Sequence, residues 1–144
     1  MSYEPFDTTL VEERIKASVP ALRLVAGAAD YAAVKDLRGF VVPSAFVLLA
    51  DEEPGGAPRG APVAPAHARV GVAIAARNYQ PGAGGQLSDE LRSLVGAVRK
   101  ALIGWTPPVT GATAVAWAGG AVMDYDASAV LYIDTFVLTH VLTR

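Results

Sequence analysis

The segment Leu87–Trp105, L-S-D-E-L-R-S-L-V-G-A-V-R-K-A-L-I-G-W, decides the fold because it contains the strongest local pattern in the chain. Ser88 is a suitable N-cap, Asp89 and Glu90 suit the positive end of a helix dipole, and Gly104 suits a C-cap. The large apolar residues recur at helical spacing, with charged residues elsewhere on the cylinder; they are Leu87, Leu91, Leu94, Val95, Val98 and Leu102. The segment predicts an amphipathic helix that packs against a sheet.

Four other stretches predict the strands of that sheet. Ser44–Ala50 is a short run of large apolar residues, and Arg69–Tyr79 alternates so that one set of side chains faces a core. Ala112–Tyr125 and Ala129–Thr143 predict two strands joined around Asp126. Both alternating sets of the last strand are largely apolar, which predicts a strand covered on both faces.

The N-terminal part predicts one main helix and two short elements. Thr9 and Glu12 fit a capping box, and the helix that they start should end before Pro20. Leu22–Val25 then predicts a short strand and Ala28–Leu37 a further helix. The apolar stripe of the main helix consists of Val11, Ile15 and Val19.

Together these patterns predict an α+β fold in which two main α-helices pack on a four-stranded, mostly antiparallel sheet. A length of 144 residues is typical of one domain, which we expect to cover residues 1–144. Four prolines and three glycines lie within Pro54–Pro65, so we expect a long Pro/Gly-rich loop at about residues 51–66. Loops of this length are usually functional or disordered.

Composition and charge exclude several classes of protein. The formal net charge is −2 and no long basic run exists, which argues against a nucleic-acid footprint. The unbroken apolar stretches are far shorter than the ~20 residues that span a bilayer, and the N-terminus lacks the pattern of a secretory signal. The absence of cysteine excludes disulfides and thiolate sites. We expect a soluble protein of cytosolic origin, with no membrane partner.

The two histidines and the paired aspartates are weak candidates for chemistry. His67 and His140 lie in no metal-binding spacing, so surface or interface positions are the favoured interpretation. Asp124 and Asp126 flank Tyr125 at a predicted turn, where aspartate is common. A dedicated calcium site needs about six oxygen ligands, and no calcium-loop pattern surrounds these residues.

An excess of apolar residues, 52% hydrophobic against 18% charged, suggests that a partner covers part of the surface. Trp105 follows the main helix and either locks it against the sheet or anchors a protein contact. Trp117 precedes Gly119-Gly120, where a bulge or the close approach of another chain is plausible. We interpret Asp51–Glu53 either as a solvated strand exit, where the chain leaves the sheet, or as an acidic contact patch. The candidate interface residues are Asp51, Glu52, Glu53, Arg59, Arg69, Arg77, Trp105, Trp117 and Tyr125.

The order of several short motifs resembles that of a known family. Val42–Val47 (V-P-S-A-F-V), Leu102–Pro108 (L-I-G-W-T-P-P), Trp117–Gly120 (W-A-G-G) and Tyr132–Phe136 (Y-I-D-T-F) follow one another between the predicted elements. From about Leu10 to Thr143 the chain resembles the tail terminator (tail completion) proteins of long-tailed bacteriophages, especially the Mu-like and lambda-like groups. The L-x-G-W-x-P segment is the sharpest part of this resemblance.

The resemblance implies a structural virion protein with no enzymatic activity and no cofactor. It implies a homohexameric ring at the head-proximal end of the tail, made in the bacterial host cytoplasm, that ends polymerisation of the tail tube. The partners that it implies are the tail tube protein and a head-completion or connector protein. No sequence-specific nucleic-acid contact is implied, although DNA passing through the ring is compatible with it. Head-to-tail contacts whose rotation closes form such rings.

Three alternatives stay open at this level. The chain is also compatible with another head–tail connector or a tail tube component. A small metal-assisted hydrolase would use Asp124, Asp126, Asp134 and His140. A ligand-binding α+β module would need a concave polar pocket.

Overall fold

A five-stranded mixed sheet forms the centre of the computed structural model, which describes residues 2–56, 60, 62–77 and 88–144. Its spatial order is β1-β2-β3-β5-β4, with β1 parallel to β2 and all other neighbours antiparallel. The strands are β1 (Leu24–Gly27), β2 (Ser44–Pro54), β3 (Val63–Arg77), β4 (Ala116–Tyr125) and β5 (Ala129–Thr143). The helices are α1 (Thr9–Ser18), α2 (Ala28–Ala33) and α3 (Asp89–Leu102), with a 3₁₀ turn at Leu37–Gly39. The α+β class is confirmed, but the prediction of four strands and two helices omitted β1 and α2 from the count.

The main core lies between one face of the sheet and the helices α1 and α3. Ser88 caps α3 as predicted, since its Oγ accepts the Leu91 N–H at 3.1 Å, and Gly104 follows the helix with φ +85°. The apolar side of α3 and the first alternating set of β3 are buried together; the largest of these residues are Leu91, Leu102, Val98, Val70, Val72 and Ile74. Helical spacing therefore identified this interface correctly.

A smaller core covers part of the opposite face. Here α2 and the 3₁₀ turn pack over the small residues Ala73 and Ala75 of β3, together with Phe46 and Leu131. The alanines leave room for this second layer, and both are fully buried. The prediction that β5 is covered on both faces is only partly right, because on this face residues 135, 137, 139 and 141 are half-buried beyond the reach of α2.

The Pro/Gly-rich connection is shorter than the predicted loop at 51–66. Residues 51–54 belong to β2 and residues 63–66 to β3, so Asp51–Glu53 lies within a strand and is not a strand exit. Proline has no backbone N–H, but its carbonyl can still accept a hydrogen bond within the ladder. The Pro65 carbonyl does so, accepting the Gly55 N–H at 2.8 Å. Residues 57–59 and 61 and the predicted connector at Pro81–Gly85 lie outside the described residues.

Several predicted boundaries also shift. Thr9 forms no capping box, because the Asp7 carboxylate accepts both the Thr9 N–H at 3.0 Å and its hydroxyl at 2.6 Å. The helix α1 ends at Ser18, ahead of Pro20 as predicted. The short N-terminal strand begins at Leu24, α2 ends at Ala33, and β4 begins at Ala116. The turn between β4 and β5 around Asp126 is confirmed.

Candidate assembly interface

β4 forms one edge of the sheet and is exposed along almost its whole length. Nine of its ten residues are exposed, although most of them are apolar or small. Trp117, Val122, Met123 and Tyr125 are exposed by 48%, 43%, 57% and 63%. An edge strand presents unpaired N–H and C=O groups to any chain that approaches, and apolar side chains strengthen that tendency. β4 is therefore the strongest candidate contact surface among the described residues.

Two irregularities interrupt the pairing of β4 with β5. Register shifts occur between Trp117 and Gly119 and between Val122 and Asp124. Gly119 has φ +137°, a conformation that favours glycine, and the bulge predicted at this position is confirmed. Bulges increase local twist, so they set the direction in which the exposed side chains of β4 point.

A buried ion pair lies beneath this edge. Asp134 of β5 is fully buried and accepts two hydrogen bonds from Arg99 of α3, at 2.7 Å from Nε and 2.9 Å from Nη2. The same Arg99 nitrogen donates to the Tyr132 hydroxyl at 2.9 Å. Hydrogen bonding to Asp134 raises the pKa of Arg99, so the guanidinium stays charged at every physiological pH. Bidentate geometry fixes the angle of the guanidinium plane.

The ion pair also holds Trp117 in place. The indole Nε1 donates to Asp134 Oδ1 at 3.0 Å, and the Arg99 guanidinium lies 4.8 Å from the centre of the ring system. Gly120 leaves room for this arrangement, because a Cβ there would collide with the Tyr132 hydroxyl and with Asp134 Oδ1. Trp117 is thus an exposed aromatic side chain that Asp134 and Arg99 hold in one orientation. A side chain of this kind is favourable as an interface anchor.

A polar surface occupies the opposite face of the sheet near the end of β2. Asp51 and Arg69 form an ion pair across β2 and β3, and their hydrogen bond raises the pKa of Arg69. Glu53 lies opposite His67 in the same ladder, and His67 Nδ1 lies 2.7 Å from the Thr139 hydroxyl. Asp51, Glu53, His67 and Arg69 line a depression of about 140 Å³. Three predicted interface residues, Asp51, Glu53 and Arg69, are therefore brought together.

Glu52 points to the other face of the sheet and stabilises the N-terminal segment. Its Oε2 lies 2.5 Å from His140 Nε2 and accepts the Phe6 N–H at 3.3 Å. The Phe6 ring packs edge-on against the imidazole. The prediction of a surface or interface position for His140 is wrong, because this side chain is buried in an ion-pair geometry. His67 is exposed as predicted.

Of the remaining predicted interface residues, Trp105 and Arg77 lie apart from these surfaces, whereas Tyr125 lies on the β4 edge. Trp105 is half-buried against the main core, with the Arg14 guanidinium 5.4 Å from its ring centre. Arg77 is exposed at the end of β3, where its carbonyl accepts the Ser88 hydroxyl at 2.7 Å. Tyr125 lies at the far end of β4 from Trp117. Arg59 is outside the described residues.

The four residues of the hydrolase alternative are not brought together. Asp134 binds Arg99, and His140 binds Glu52. Asp124 accepts the Tyr125 N–H at 2.8 Å, and Asp126 accepts from the Ser128 and Ala129 N–H groups in the turn. Over the ranges that the structure describes, no group of three or more histidines and carboxylates could hold a metal ion. In the same ranges, no helix has both the length and the apolar character needed to cross a membrane.

Sequence reasoning missed the most constrained part of this interface. It did not connect Arg99 of α3 with Asp134, Tyr132 or Gly120. The available signal was a single aspartate in an otherwise apolar stretch of β5, since a buried carboxylate needs a charged partner. The exposure of Val122 and Met123 followed from the edge position of β4, which local sequence does not reveal.

Comparison with known proteins agrees with a structural role. No curated protein matches the chain. Among solved structures, a chain of the "Virion of native gene transfer agent (GTA) particle" is similar in fold, with a TM-score of 0.58 at 16% identity over 90% of each chain. The family model described as "Phage tail terminator protein" matches residues 1–144. The chain therefore belongs to the phage tail terminator family, whose members are structural proteins of the virion tail.

Proposed function

We propose that six copies of this chain, the number that the family resemblance implies, close into a ring at the head-proximal end of the tail. The ring caps the tail tube, ends its polymerisation and offers its other surface to a head-completion or connector protein. The exposed apolar edge of β4 is the observation that carries this proposal. Such an edge favours pairing with other chains, and contacts of this kind close into rings when the rotation between copies allows it.

Trp117 adds a second argument for assembly through β4. Aromatic residues held in one orientation lose little side-chain entropy when they are covered, and they dominate the binding energy of many interfaces. The bond to Asp134 and the contact with Arg99 provide that orientation before any partner arrives. The interface residues Trp117 and Tyr125 are therefore assigned to contacts between copies.

The polar surface is assigned to docking of a different tail protein. Asp51, Glu53 and Arg69 place charges of both signs on one exposed face, where they can set the register of a partner. Arg77, which lies apart from this surface, and Arg59 stay separate candidates, whereas Glu52 faces the other side of the sheet and holds the N-terminal segment. This arrangement supports a ring with apolar lateral contacts and a polar contact toward another component.

The proposal is tested by co-expressing the chain with the tail tube protein of the same virion and imaging the tubes by electron microscopy. We expect tubes of limited length that carry one six-membered ring at an end. Tubes of unlimited length without rings would contradict the proposal. Growth of the chain itself into long tubes would instead identify a tube component, and rings attached only to heads would identify another connector.

A further inference from the structure

The sheet has a second open edge, formed by β1. This strand pairs with β2 on one side, and neither β1 nor β4 has another strand on its outer side in the part of the chain that the structure describes. A ring in which these two edges meet would leave no open edge on any copy. The question is therefore whether β1 of one copy fits beside β4 of the next.

Strand direction permits this contact. β1, β2 and β5 run in one direction, whereas β3 and β4 run in the other. A rotation about an axis along the strands keeps these directions, so β1 of the neighbouring copy would lie antiparallel to β4. The sheet would continue across the boundary with antiparallel hydrogen bonds, and the helices α1 and α3 would stay on the same face in every copy.

The rows of paired residues show which side chains would meet. Val25 and Val122 lie at the two ends of one row of paired residues that crosses all five strands. The residues between them in this row are Ala45, Ile74 and Tyr132. Gly27 and Gly120 end the row that runs through Val47, Val72 and Asp134. Both rows face α1 and α3. Continuing the sheet without a shift of register therefore places valine beside valine and glycine beside glycine.

The side chains at these positions are complementary. Arg23 lies two residues before Val25 and is exposed, and its N–H donates to the Pro43 carbonyl at 2.9 Å. It lies level with the exposed ring of Tyr125, which offers a cation–π contact. We propose that β1 of one copy pairs antiparallel with β4 of the next, with Arg23 against Tyr125 and Gly27 against Gly120.

Charge at the other end of the contact supports a second copy as the occupant. The Glu12 carboxylate lies 3.6 Å from the position that a Cβ would take at Gly27, on the same face as Arg99 of the neighbouring copy. Burial, with the nearby carboxylates of Asp30, Asp7 and Glu13 contributing, raises the pKa of Glu12 despite Lys16. A guanidinium from the neighbour would offset this local excess of negative charge.

A contact between two β4 strands is the competing arrangement. It would be self-complementary and would close as a dimer, leaving both β1 edges open. Disulfide trapping separates the two arrangements, because the chain has no cysteine of its own. The probes are two single substitutions, Arg23→Cys and Tyr125→Cys, whose backbones in the proposed pairing lie within the range that a disulfide spans.

The inference rests on the proposed ring, so the trapping experiment uses the same co-expressed tubes. After mild oxidation we expect a covalent dimer when the two variants are mixed, none from either variant alone, and a ladder of multimers when one chain carries both substitutions. Glu13→Cys mixed with Tyr125→Cys is the matched control, and we expect no cross-link from it. A dimer from Tyr125→Cys alone, or rings without a cross-link in the mixture, would overturn the β1–β4 contact while keeping the ring.

Absence of any ring would refute the proposed function and this contact together. Hydrogen exchange of the unmodified chain provides a second measurement that does not depend on the variants. We expect the amides of both β1 and β4 to become at least tenfold better protected on assembly. Protection of β4 without β1 in ring-bearing tubes would overturn the contact.

Discussion

Arg99 and Asp134, 35 residues apart in sequence, connect α3 to β5 through two hydrogen bonds of 2.7 and 2.9 Å. Asp134 has no exposure to solvent, and its second contact reaches Trp117 on the open edge of the sheet. The pair thus connects the core with the candidate assembly surface. Because a buried charge is stable only when it is paired, this connection makes the fold depend on the same residues that orient the edge.

Asp134→Ala is expected to lower the free energy of unfolding by about 3 kcal/mol, because Arg99 and the Trp117 N–H lose their acceptor. Urea denaturation at pH 7 measures the change. Asp124→Ala, on the exposed neighbouring strand, is the control and should change stability by less than about 0.5 kcal/mol. The double variant Arg99→Met with Asp134→Leu should be more stable than Asp134→Ala; equal losses would contradict the assigned ion pair.

Gly120→Ala is expected to lower stability by about 2 kcal/mol, because the added methyl group collides with Asp134 and Tyr132 in a cluster that is closely packed. Gly96→Ala is the matched control. It lies exposed within α3 with no atom near the added Cβ, so it should raise stability by about 0.5–1 kcal/mol. Thermal unfolding of both variants measures the difference. An unchanged midpoint temperature for Gly120→Ala would contradict the expected collision, because it would show that Asp134 and Tyr132 move aside at little cost.

Local periodicity was sufficient to predict some elements and insufficient for others. The heptad-like spacing of α3 and the alternation of β3 are repeated over many residues, so each gave a clear signal. β1 has only four residues, so the short strand predicted at Leu22–Val25 overlaps it only in part. Proline content predicted a loop at Pro54 and Pro65, but tertiary pairing overrode that local preference.

The residues of the candidate interface divide in the same way, into those that local sequence indicates and those that depend on tertiary contacts. Trp117 and Tyr125 were interface candidates on residue type, because aromatic residues are enriched at interfaces. The contact of Asp134 with Arg99 depends on the packing of α3 against the sheet, and the burial of His140 depends on Phe6 and Glu52, which reach it from distant segments. Contacts between such distant positions leave no spacing in the sequence from which to infer them.

Glu52→Ala is expected to lower stability by about 2 kcal/mol, because His140 loses its partner and the Phe6 N–H loses its acceptor. Hydrogen exchange of the Phe6 amide should become faster in this variant. Glu53→Ala changes the next residue, which is exposed on the other face, and should leave both quantities nearly unchanged. Similar effects of the two substitutions would contradict the assigned contact between Glu52 and His140.

Asp126 is expected to stabilise the fold in a pH-dependent manner. Hydrogen bonds from the Ser128 and Ala129 N–H groups lower the pKa of Asp126. The contribution of Asp126 to the free energy of unfolding is therefore complete above the ordinary aspartate pKa. It disappears as the pH falls through the lower folded-state pKa. The urea midpoint of Asp126→Ala should therefore lie below that of the unmodified chain at pH 7. The difference should shrink in acid below both pKa values; a constant difference would contradict this linkage.

The two tryptophans are expected to separate stability from assembly. Trp105→Ala should lower the free energy of unfolding by about 3 kcal/mol, because the ring packs on the main core and beneath Arg14. Trp117→Ala should lower it by about 1 kcal/mol, since the half-exposed ring loses one hydrogen bond and limited packing, yet it should prevent ring formation on tail tubes. Urea denaturation and electron microscopy of the same preparations measure both effects. Rings of normal occupancy with Trp117→Ala would show that this side chain serves the fold alone.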